Sequence, residues 1–302
     1  MLSIIVCTYN RGDILIECLD SVVGTYDYDY PIELIVVDNN CTDSTESNVK
    51  SLASNHDYVN YVYESKQGLS HARNTGYKTA KYDWVLYLDD DATLAPDFFK
   101  RVQHLISINK YECIGGLYLP WYKYGQPNWF KDEYGSNLKA QYSELSVLSE
   151  TEFVSGGIFM VKRKLLIQLD GFDPNFGMTG DTIAYGEEDD LQVRLRKLGL
   201  DVAYDPKLII YHLVPEYKLD TQWFLKSSFN LGKTYLTTKK MSYNPLTGLL
   251  SLCIGLAQTV VHLFKYTPKL LLKDYYTENW KIDTFKKPAK WLGAFWKGIG
   301  LS

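Results

Sequence analysis

The chain has 302 residues, of which 46% are hydrophobic and 23% charged, and its net charge is −4. This length allows one large domain or two smaller ones with a substantial core. The small negative net charge gives no electrostatic basis for a nucleic-acid partner, whose phosphates favour a basic protein face. The five cysteines lie far apart and form no Cys-x-x-Cys pair. Reduced thiols in a cytosolic compartment are therefore expected rather than a disulfide framework or a zinc site.

Apolar runs and helical spacings alternate through the first 110 residues. The N-terminal run is too short for a signal peptide and is interpreted as a first strand. The pattern predicts strands at 2–7, 32–40, 59–65 and 83–91, and helices at 13–23, from 41, at 68–80 and at 95–108. Such alternation indicates βαβ units, an α/β fold class and a mostly parallel sheet. In sheets of this kind, ligands bind at the carboxyl ends of the strands.

Three of the predicted strands end in polar residues, at 8–11, 38–40 and 89–91. These three sets should lie along the same edge of the sheet. Asp89 and Asp91 are two residues apart, so on an extended segment their side chains point the same way and Asp90 points opposite. Hard oxygen ligands in this arrangement suit Mg²⁺ or Mn²⁺, particularly an ion that bridges phosphates. The alternative is a solvated turn, with Asp97 capping the following helix.

The region from 118 to 215 is less regular. Aromatic residues, Pro and Gly crowd residues 118–135 and predict a loop over a site. Residues 151–173 predict a strand, a turn at Gly156-Gly157 and a helix. Residues 185–200 predict a helix that begins on acids, which suits the helix dipole. Residues 201–215 predict a further pair of strands.

The composition changes from about residue 216, and residues 219–240 predict an amphipathic helix. Residues 246–264 carry no formal charge if His262 is neutral. This stretch of 19 residues is long enough to enter a bilayer. Its polar residues weaken the case for a full span; they are Thr247, Ser251, Gln258 and His262. The tail from Lys265 interleaves Lys with aromatic residues, as in an interfacial helix on an anionic membrane. A buried helical hairpin or an oligomer interface is the alternative. We therefore expect a first domain at 1–215 and a helical, membrane-associated region at 216–302.

Seven segments in the first 215 residues point to one family. They are "SIIVCTYNR", "ELIVVDNNCTDST", "GLSHARNTG", "VLYLDDDATLAPDFF", "FVSGGIFMVKRKLL", "GFDPNFG" and "YGEEDDLQVRLRKLG". In their order and spacing, they resemble the family-2 glycosyltransferases with the GT-A fold, a Rossmann-like sheet flanked by helices. The last 85 or so residues lie outside this resemblance. It implies transfer of a sugar, with inversion, from a nucleotide diphosphate donor such as a UDP-sugar to a glycan or lipid-linked acceptor in polysaccharide or glycoconjugate synthesis.

The resemblance also implies roles for individual residues on the donor side. Thr8, Tyr9 and Arg11 would surround the nucleotide, and Asp38 would contact the base. The chemistry of Asp38 leaves two options, because its carboxylate can accept a base N–H or cap the helix after Cys41.

Further along the chain, the resemblance places Gly68 and Arg73 over the ribose and diphosphate. As a cation, Arg73 suits an anion partner, and a salt bridge on a helix face is the alternative. Asp89 and Asp91 would take the D-x-D role at the metal, Mn²⁺ or Mg²⁺, while Asp90 points away or towards the ribose.

An inverting transfer needs a base that removes the proton of the acceptor hydroxyl. "GEEDDL" is similar to the family's G-E-D-x-D-L pattern, but Glu188 stands where the base is usually Asp. The base therefore stays open between Glu188 and Asp189. Adjacent acids raise one another's pKa, which helps one of them act as a base. The alternative is that Glu187 and Glu188 cap the helix.

Several further residues are candidates of lower specificity. His212 follows a strand that should run back towards the cleft, as an extra metal ligand or as a structural histidine. Gly157 would allow the backbone to approach a sugar closely. Trp121 and Trp129 could stack on the faces of an acceptor sugar, or could pack the loop that carries them.

Two other functions are compatible with parts of this pattern. Nucleotidyl transfer would need a Gly-rich basic phosphate loop after the first strand, whereas "CTYNRGD" has one Arg and one Gly. A catalytically inactive sugar-binding scaffold would be expected to lose the metal or base acids, and both are present. The sequence thus favours a metal-dependent inverting glycosyltransferase on the cytoplasmic side of a membrane, peripheral or monotopic. It does not determine the sugar, the acceptor or the oligomeric state.

Overall fold

The computed structural model describes residues 1–27, 30–178, 186–238 and 242–301. The chain divides into two compact units. The first unit comprises Met1–Trp121 and Gly135–Leu213, and the second comprises Tyr122–Tyr134 and Val214–Ser302. A segment from the middle of the sequence therefore belongs with the C-terminal residues.

A single mixed sheet forms the centre of the first unit. Its strands are β1 (Leu2–Thr8), β2 (Ile32–Asp38), β3 (Val59–Tyr63), β4 (Trp84–Asp89), β5 (Ala92–Leu94), β6 (Cys113–Trp121), β7 (Ser146–Val147), β8 (Ile158–Lys162) and β9 (Val202–Leu213). Their order is β3-β2-β1-β4-β8-β6-β9-β5, and β7 pairs with β9. The first four strands in this order are parallel, whereas β8 runs antiparallel to both of its neighbours. The α/β class is confirmed, with an antiparallel component that the alternation of elements did not show.

Helices cover both faces of this sheet. They are α1 (Gly12–Thr25), α2 (Thr45–Ala53), α3 (Leu69–Thr79), α4 (Phe98–Ile108), α5 (Arg163–Gln168) and α6 (Glu187–Lys197). Successive residues of β1 belong to two separate cores, because side chains alternate along a strand. Ile4 and Val6 pack in one core, and Ile5 packs in the other. In register, Thr8 lies opposite Asp38, and Cys7 lies opposite Asp89, so the polar strand ends meet at one edge.

Three local predictions were wrong. Residues 118–121, expected in a loop, are the end of β6. The predicted strand before Gly156 is absent, because the Gln192 side chain pairs with both the N–H and the C=O of Val154 and takes the place of a neighbouring strand. Strand β8 begins only after the glycine pair. Residues 201–215 form one strand rather than two, since the turn-like Asp205-Pro206 sequence is accommodated as an irregularity where β9 pairs with β6.

Three long helices and the segment Tyr122–Tyr134 make up most of the second unit. The helices are α7 (Thr221–Thr238), α8 (Pro245–Tyr266) and α9 (Thr277–Gly298), with a 3₁₀ turn at Thr267–Leu271. A small core contains Phe130, Phe224 and Ile282. The Asn279 side chain donates a hydrogen bond of 2.6 Å to the Trp129 carbonyl, which ties the inserted segment to α9. Helix α7 lies within the predicted amphipathic segment.

The close approach of α3 to β1 gives a test of the packing. A Cβ atom on Gly76 would lie 2.5 Å from Ile5 Cγ2, whereas a Cβ on Gly24 in α1 would meet nothing within 4 Å. We expect Gly76→Ala to lower the free energy of unfolding by about 1–3 kcal/mol through overpacking. Gly24→Ala should be neutral or stabilise by up to about 1 kcal/mol. Denaturant unfolding of both variants measures the difference, and equal effects would contradict the described packing.

Candidate active site

Two carboxylates and a histidine converge at the sheet edge. Asp89 ends β4, and pairing of β5 with β9 brings His212 opposite Ala92, the residue after Asp91. His212 Nε2 lies 3.4 Å from Asp89 Oδ2 and 3.2 Å from Asp91 Oδ1. One ligand atom from each of the three residues lies within 4.8 Å of the others. This set of two carboxylate oxygens and one imidazole nitrogen fits a divalent cation such as Mn²⁺ or Mg²⁺.

The backbone orients the His212 ring within this group. Its Nδ1 atom lies 3.1 Å from the Leu213 carbonyl oxygen, within hydrogen-bond distance. When the Nδ1 proton donates to that carbonyl and Nε2 is unprotonated, the Nε2 lone pair faces the same point as Asp89 and Asp91. Metal-binding histidines commonly have their second nitrogen held in this way.

Asp90 points to the other side, as predicted, but Asp90 and Asp91 form the turn between β4 and β5 rather than the expected continuation of the strand. The Thr8 hydroxyl donates to Asp90 Oδ2 at 2.7 Å. The Arg11 guanidinium bridges two acids, with Nη1 at 2.7 Å from Asp90 Oδ1 and Nη2 at 2.7 Å from Asp91 Oδ2. Burial raises the pKa of Asp90 to about 7, against the opposing effect of the Arg11 charge. Thr8 and Arg11 thus hold the Asp90 side chain, which does not take part in the group formed by Asp89, Asp91 and His212.

Asp38 is buried and already has two hydrogen-bond donors. The Cys41 N–H donates to Oδ1 at 2.7 Å, and the Tyr61 hydroxyl donates to Oδ2 at 2.8 Å. The first bond lies in the turn before α2, whose N-cap is Ser44, so it is not the helix cap that the sequence offered as an alternative. Tyr9 follows β1 directly and is half-buried. Contact of Asp38 and Tyr9 with a nucleotide stays a prediction.

A buried asparagine holds the loop that leads into α3. Gly68 precedes this helix with φ 141°, in the region that favours glycine, and its N–H donates to Asn39 Oδ1 at 2.8 Å. Asn39 Nδ2 donates in turn to the Lys66 carbonyl at 2.8 Å. Asn39 was not among the predicted site residues, although it lies in the polar set at the end of β2.

Arg73 lies in the interior and forms an ion pair with the first acid of α6. Its Nη1 atom is 2.7 Å from Glu187 Oε1, and its Nη2 donates to the Gly156 carbonyl at 3.3 Å. Only 4% of the residue is exposed. The sequence offered a salt bridge as one alternative for Arg73, and the structure contains one. Its partner, Glu187, was not identified from the sequence. A contact between Arg73 and a diphosphate stays a prediction.

The two adjacent glycines bring the Asp89–Asp91–His212 group next to the acids of α6. A Cβ atom on Gly157 would lie 2.3 Å from Asp89 Oδ2, and one on Gly156 would lie 3.1 Å from Glu188 Oε1. The Gly156 N–H also donates to Glu188 Oε1 at 3.4 Å. Only glycine leaves room for this approach of backbone to carboxylates. Glu188 is therefore adjacent to the predicted metal ligands.

The four acids at the start of α6 differ in environment. Burial and the charge of Glu188 raise the pKa of Glu187 to about 7, although Arg73 opposes this. Partial loss of hydration and the charge of Glu188 raise the pKa of Asp189 to about 6, although that residue is exposed. Asp190 pairs with Arg194 at 2.7 Å. Of the two candidate bases, Glu188 faces the glycine pair.

The two tryptophans have different surroundings. Trp121 ends β6 and is half-buried, one residue beyond Pro120, which pairs with His212. Trp129 packs against Phe130 in the second unit, with ring centroids 5.5 Å apart. An acceptor contact for either residue stays a prediction.

Comparison with known proteins decides the family. The family model described as "Glycosyl transferase family 2" matches residues 3–170, more than half of the chain. The chain belongs to this family. The glucosyl-dolichyl phosphate glucuronosyltransferase of Haloferax volcanii is 25% identical over 244 residues, which cover 76% of this chain and 74% of that protein. The GalNAc(5)-diNAcBac-PP-undecaprenol beta-1,3-glucosyltransferase of Campylobacter jejuni is 29% identical over 202 residues, 65% of this chain and 60% of that one.

Solved structures confirm the GT-A fold. The mannosyltransferase PcManGT of Pyrobaculum calidifontis, in complex with GDP-Man and Mn²⁺, superposes with a TM-score of 0.64 at 19% identity, covering 98% of this chain and 86% of that one. TarS 1–349 of S. aureus, in complex with UDP-GlcNAc, gives a TM-score of 0.55 at 17% identity, covering 78% and 66%. Together with the family match, these relatives show that this family-2 protein is a glycosyltransferase.

The buried Arg73–Glu187 pair predicts a large effect on stability. Arg73→Met leaves Glu187 as an unpaired buried carboxylate and should cost about 3–5 kcal/mol of unfolding free energy. Lys164→Met removes an exposed ion pair of the same 2.7 Å length, with Glu112, and should cost less than about 1 kcal/mol. Denaturant unfolding measures both. Adding Glu187→Met to Arg73→Met should restore most of the loss, and a Tm unchanged by Arg73→Met would contradict the described pair.

Proposed function

We propose that this glycosyltransferase is metal-dependent and inverting, and that it moves a sugar from a nucleotide diphosphate donor, a UDP-sugar, to a glycan or lipid-linked acceptor. One observation carries the proposal: the Asp89–Asp91–His212 group and Glu188 contact consecutive residues, Gly157 and Gly156. A leaving-group site and a base therefore lie next to each other. The names of two relatives include dolichyl phosphate and PP-undecaprenol, which supports an acceptor that carries a lipid.

The donor would bind along the carboxyl ends of the parallel strands. We assign contacts with the nucleotide and ribose to Thr8, Tyr9, Arg11, Asp38, Gly68 and Asp90. Mn²⁺ or Mg²⁺ would be held by Asp89, Asp91 and His212. When bound there, a divalent cation supplies charge neutralisation for the diphosphate leaving group. Arg11 pairs with Oδ2 of Asp91 and His212 lies beside Oδ1, so both oxygens of this carboxylate are held before the donor binds.

Glu188 is proposed as the base. The Gly156 N–H fixes one of its oxygens, while Oε2 is buried, has no hydrogen-bond partner among the described residues and lies 4.0 Å from Arg73 Nη1. A buried oxygen that lacks a donor is suited to take a proton. In the reaction, the acceptor hydroxyl proton goes to Glu188, and the acceptor oxygen bonds to the anomeric carbon. The bond from that carbon to the diphosphate oxygen breaks, and its electron pair leaves with the nucleotide diphosphate.

We further propose that the enzyme works on the cytoplasmic side of a membrane, where a lipid-linked acceptor would be present. Support comes from the segment Pro245–Leu271, which is long and apolar enough to cross a bilayer. Protease added to sealed membrane vesicles measures the side. The protein should be cleaved in inside-out vesicles and protected in right-side-out vesicles, and the reverse pattern would exclude the cytoplasmic side.

Metal dependence and the donor are tested together. Purified protein should cleave one member of a panel of UDP- and GDP-sugars with Mn²⁺ and lose this activity with EDTA. Asp91→Ala should abolish the activity more completely than Asp90→Ala, because Asp91 belongs to the predicted metal ligands and Asp90 does not. Liquid chromatography of the released nucleotide measures both rates. Equal activity with EDTA, or a stronger effect of Asp90→Ala, would overturn the assignment.

The identity of the base is tested by amide substitution. Glu188→Gln should lower the transfer rate by about 10²–10⁴-fold, the usual contribution of a general base. Asp189→Asn is the matched control and should stay within a few-fold of the wild type, because Asp189 is exposed, whereas Glu188 accepts from the Gly156 N–H. Nucleotide binding, followed by calorimetry, should be unchanged in both. A loss of transfer in Asp189→Asn alone would move the role of base to Asp189.

A further inference from the structure

Helix α8 has its apolar side on the outside. Leu246 and Phe264, at its two ends, are 77% and 81% exposed. Between them runs a stripe at helical spacing, in which each exposed residue is apolar: Leu246, Leu249, Leu250, Cys253, Leu256, Ala257, Val260, Val261 and Phe264. From Leu246 to Phe264, no exposed side chain of α8 is charged or carries a hydroxyl, and the exposed Lys265 follows directly. A surface helix of a soluble protein has the opposite pattern, with its polar face outside.

The polar residues of α8 lie on its inner side. Ser251 is buried and donates to the Thr247 carbonyl at 2.8 Å, and His262 Nδ1 lies 3.1 Å from the Thr284 carbonyl of α9. Small residues also face inwards, since a Cβ on Gly255 would lie 3.1 Å from Trp291. The helix is therefore packed on one side by α9, and its exposed apolar stripe is not part of a core within the second unit.

Helix α9 runs antiparallel to α8 along its whole length. Gly248 is close to Gly298, Gly255 is close to Trp291, and His262 is close to Thr284. Lys287 is exposed and precedes Pro288, whose carbonyl oxygen would lie 3.5 Å from a Cβ on Gly255. The charged side chain of Lys287 therefore lies beside the middle of α8, measured along the helix axis.

The position of Lys287 beside the middle of α8 argues against a transmembrane orientation of the helix pair. By length alone, the 22 residues of α8 would span about 33 Å, enough for a bilayer core. In that orientation, however, Lys287 and its neighbour Lys286 would lie near the bilayer centre, where charged side chains are strongly unfavourable. With α8 parallel to the membrane surface, the same lysines remain at the level of the headgroups.

We propose that α8 lies in the plane of an anionic lipid bilayer, with its exposed stripe in the outer part of the acyl region. Charge complementarity favours this partner, because residues 265–297 carry eight lysines and three acids. A second copy of the chain would bring the same excess of lysines against itself. The inference deepens the membrane association proposed above but does not depend on the reaction.

Vesicle binding tests the stripe. The full-length protein should sediment with vesicles of phosphatidylcholine and phosphatidylglycerol, and more weakly with phosphatidylcholine alone. Leu256→Glu with Val260→Glu should reduce the affinity at least ten-fold. The matched control is Ile16→Glu with Ile167→Glu, two exposed apolar residues of the first unit, which make the same change in net charge. Thermal unfolding of each variant checks that it is folded.

The depth of α8 separates the two orientations. Cys253 is exposed in the middle of the stripe and can carry an NBD fluorophore, with Cys253→Ser as the control for labelling elsewhere. Lipids with a nitroxide at acyl carbon 5 should quench this probe more than lipids with the nitroxide at carbon 12. Stronger quenching from carbon 12 would indicate a span and overturn the in-plane orientation.

Two further outcomes would also contradict the proposal. One is vesicle binding that is equal in the α8 double variant and its control. The other is a lack of vesicle binding together with a dimer, seen by light scattering, that the α8 double variant dissociates. Asp91→Ala should bind vesicles like the wild type. Loss of transfer and loss of lipid binding are therefore distinguishable.

Discussion

Repulsion among carboxylates at one sheet edge is the constraint on which the site depends. Asp89, Asp90 and Asp91 meet the acids of α6 there, and like charges at short distance destabilise a fold. Most of these acids have a permanent counter-charge or donor. Arg11 holds Asp90 and one oxygen of Asp91, and Arg73 holds Glu187. Asp89 and the other oxygen of Asp91 instead share the titratable His212, which is why a cation fits at this position.

Gly156 and Gly157 bring two groups of acids close together, the aspartates at the sheet edge and the acids at the start of α6. Gly157 allows Asp89 to approach the backbone, and Gly156 does the same for Glu188 while its carbonyl accepts from Arg73. The buried Arg73 guanidinium thereby lies close to both Glu187 and Glu188. We infer that its main role is to hold the start of α6 against the glycine turn. A rigid surround of this kind keeps a base and a leaving-group site in fixed geometry.

The second unit is packed differently from the first. Its small core is aromatic, around Phe130 and Phe224, and α8 approaches α9 closely at Gly248 and Gly255. Close helix contacts at small residues leave the large apolar side chains of α8 directed outwards. This arrangement is stable in water only if another apolar phase covers that face, and a bilayer surface is one such phase.

The sequence by itself determined the α/β class and the family, and it predicted that Asp90 points away from Asp89 and Asp91. These follow from local periodicity and from motifs in a fixed order. Only the tertiary structure decided that 201–215 is one strand, that residues 122–134 join the C-terminal helices, and that Arg73 pairs with Glu187. It also showed Glu188, not Asp189, at the glycine pair. Each of these depends on contacts between residues far apart in the chain, such as Arg73 with Glu187, which no local pattern encodes.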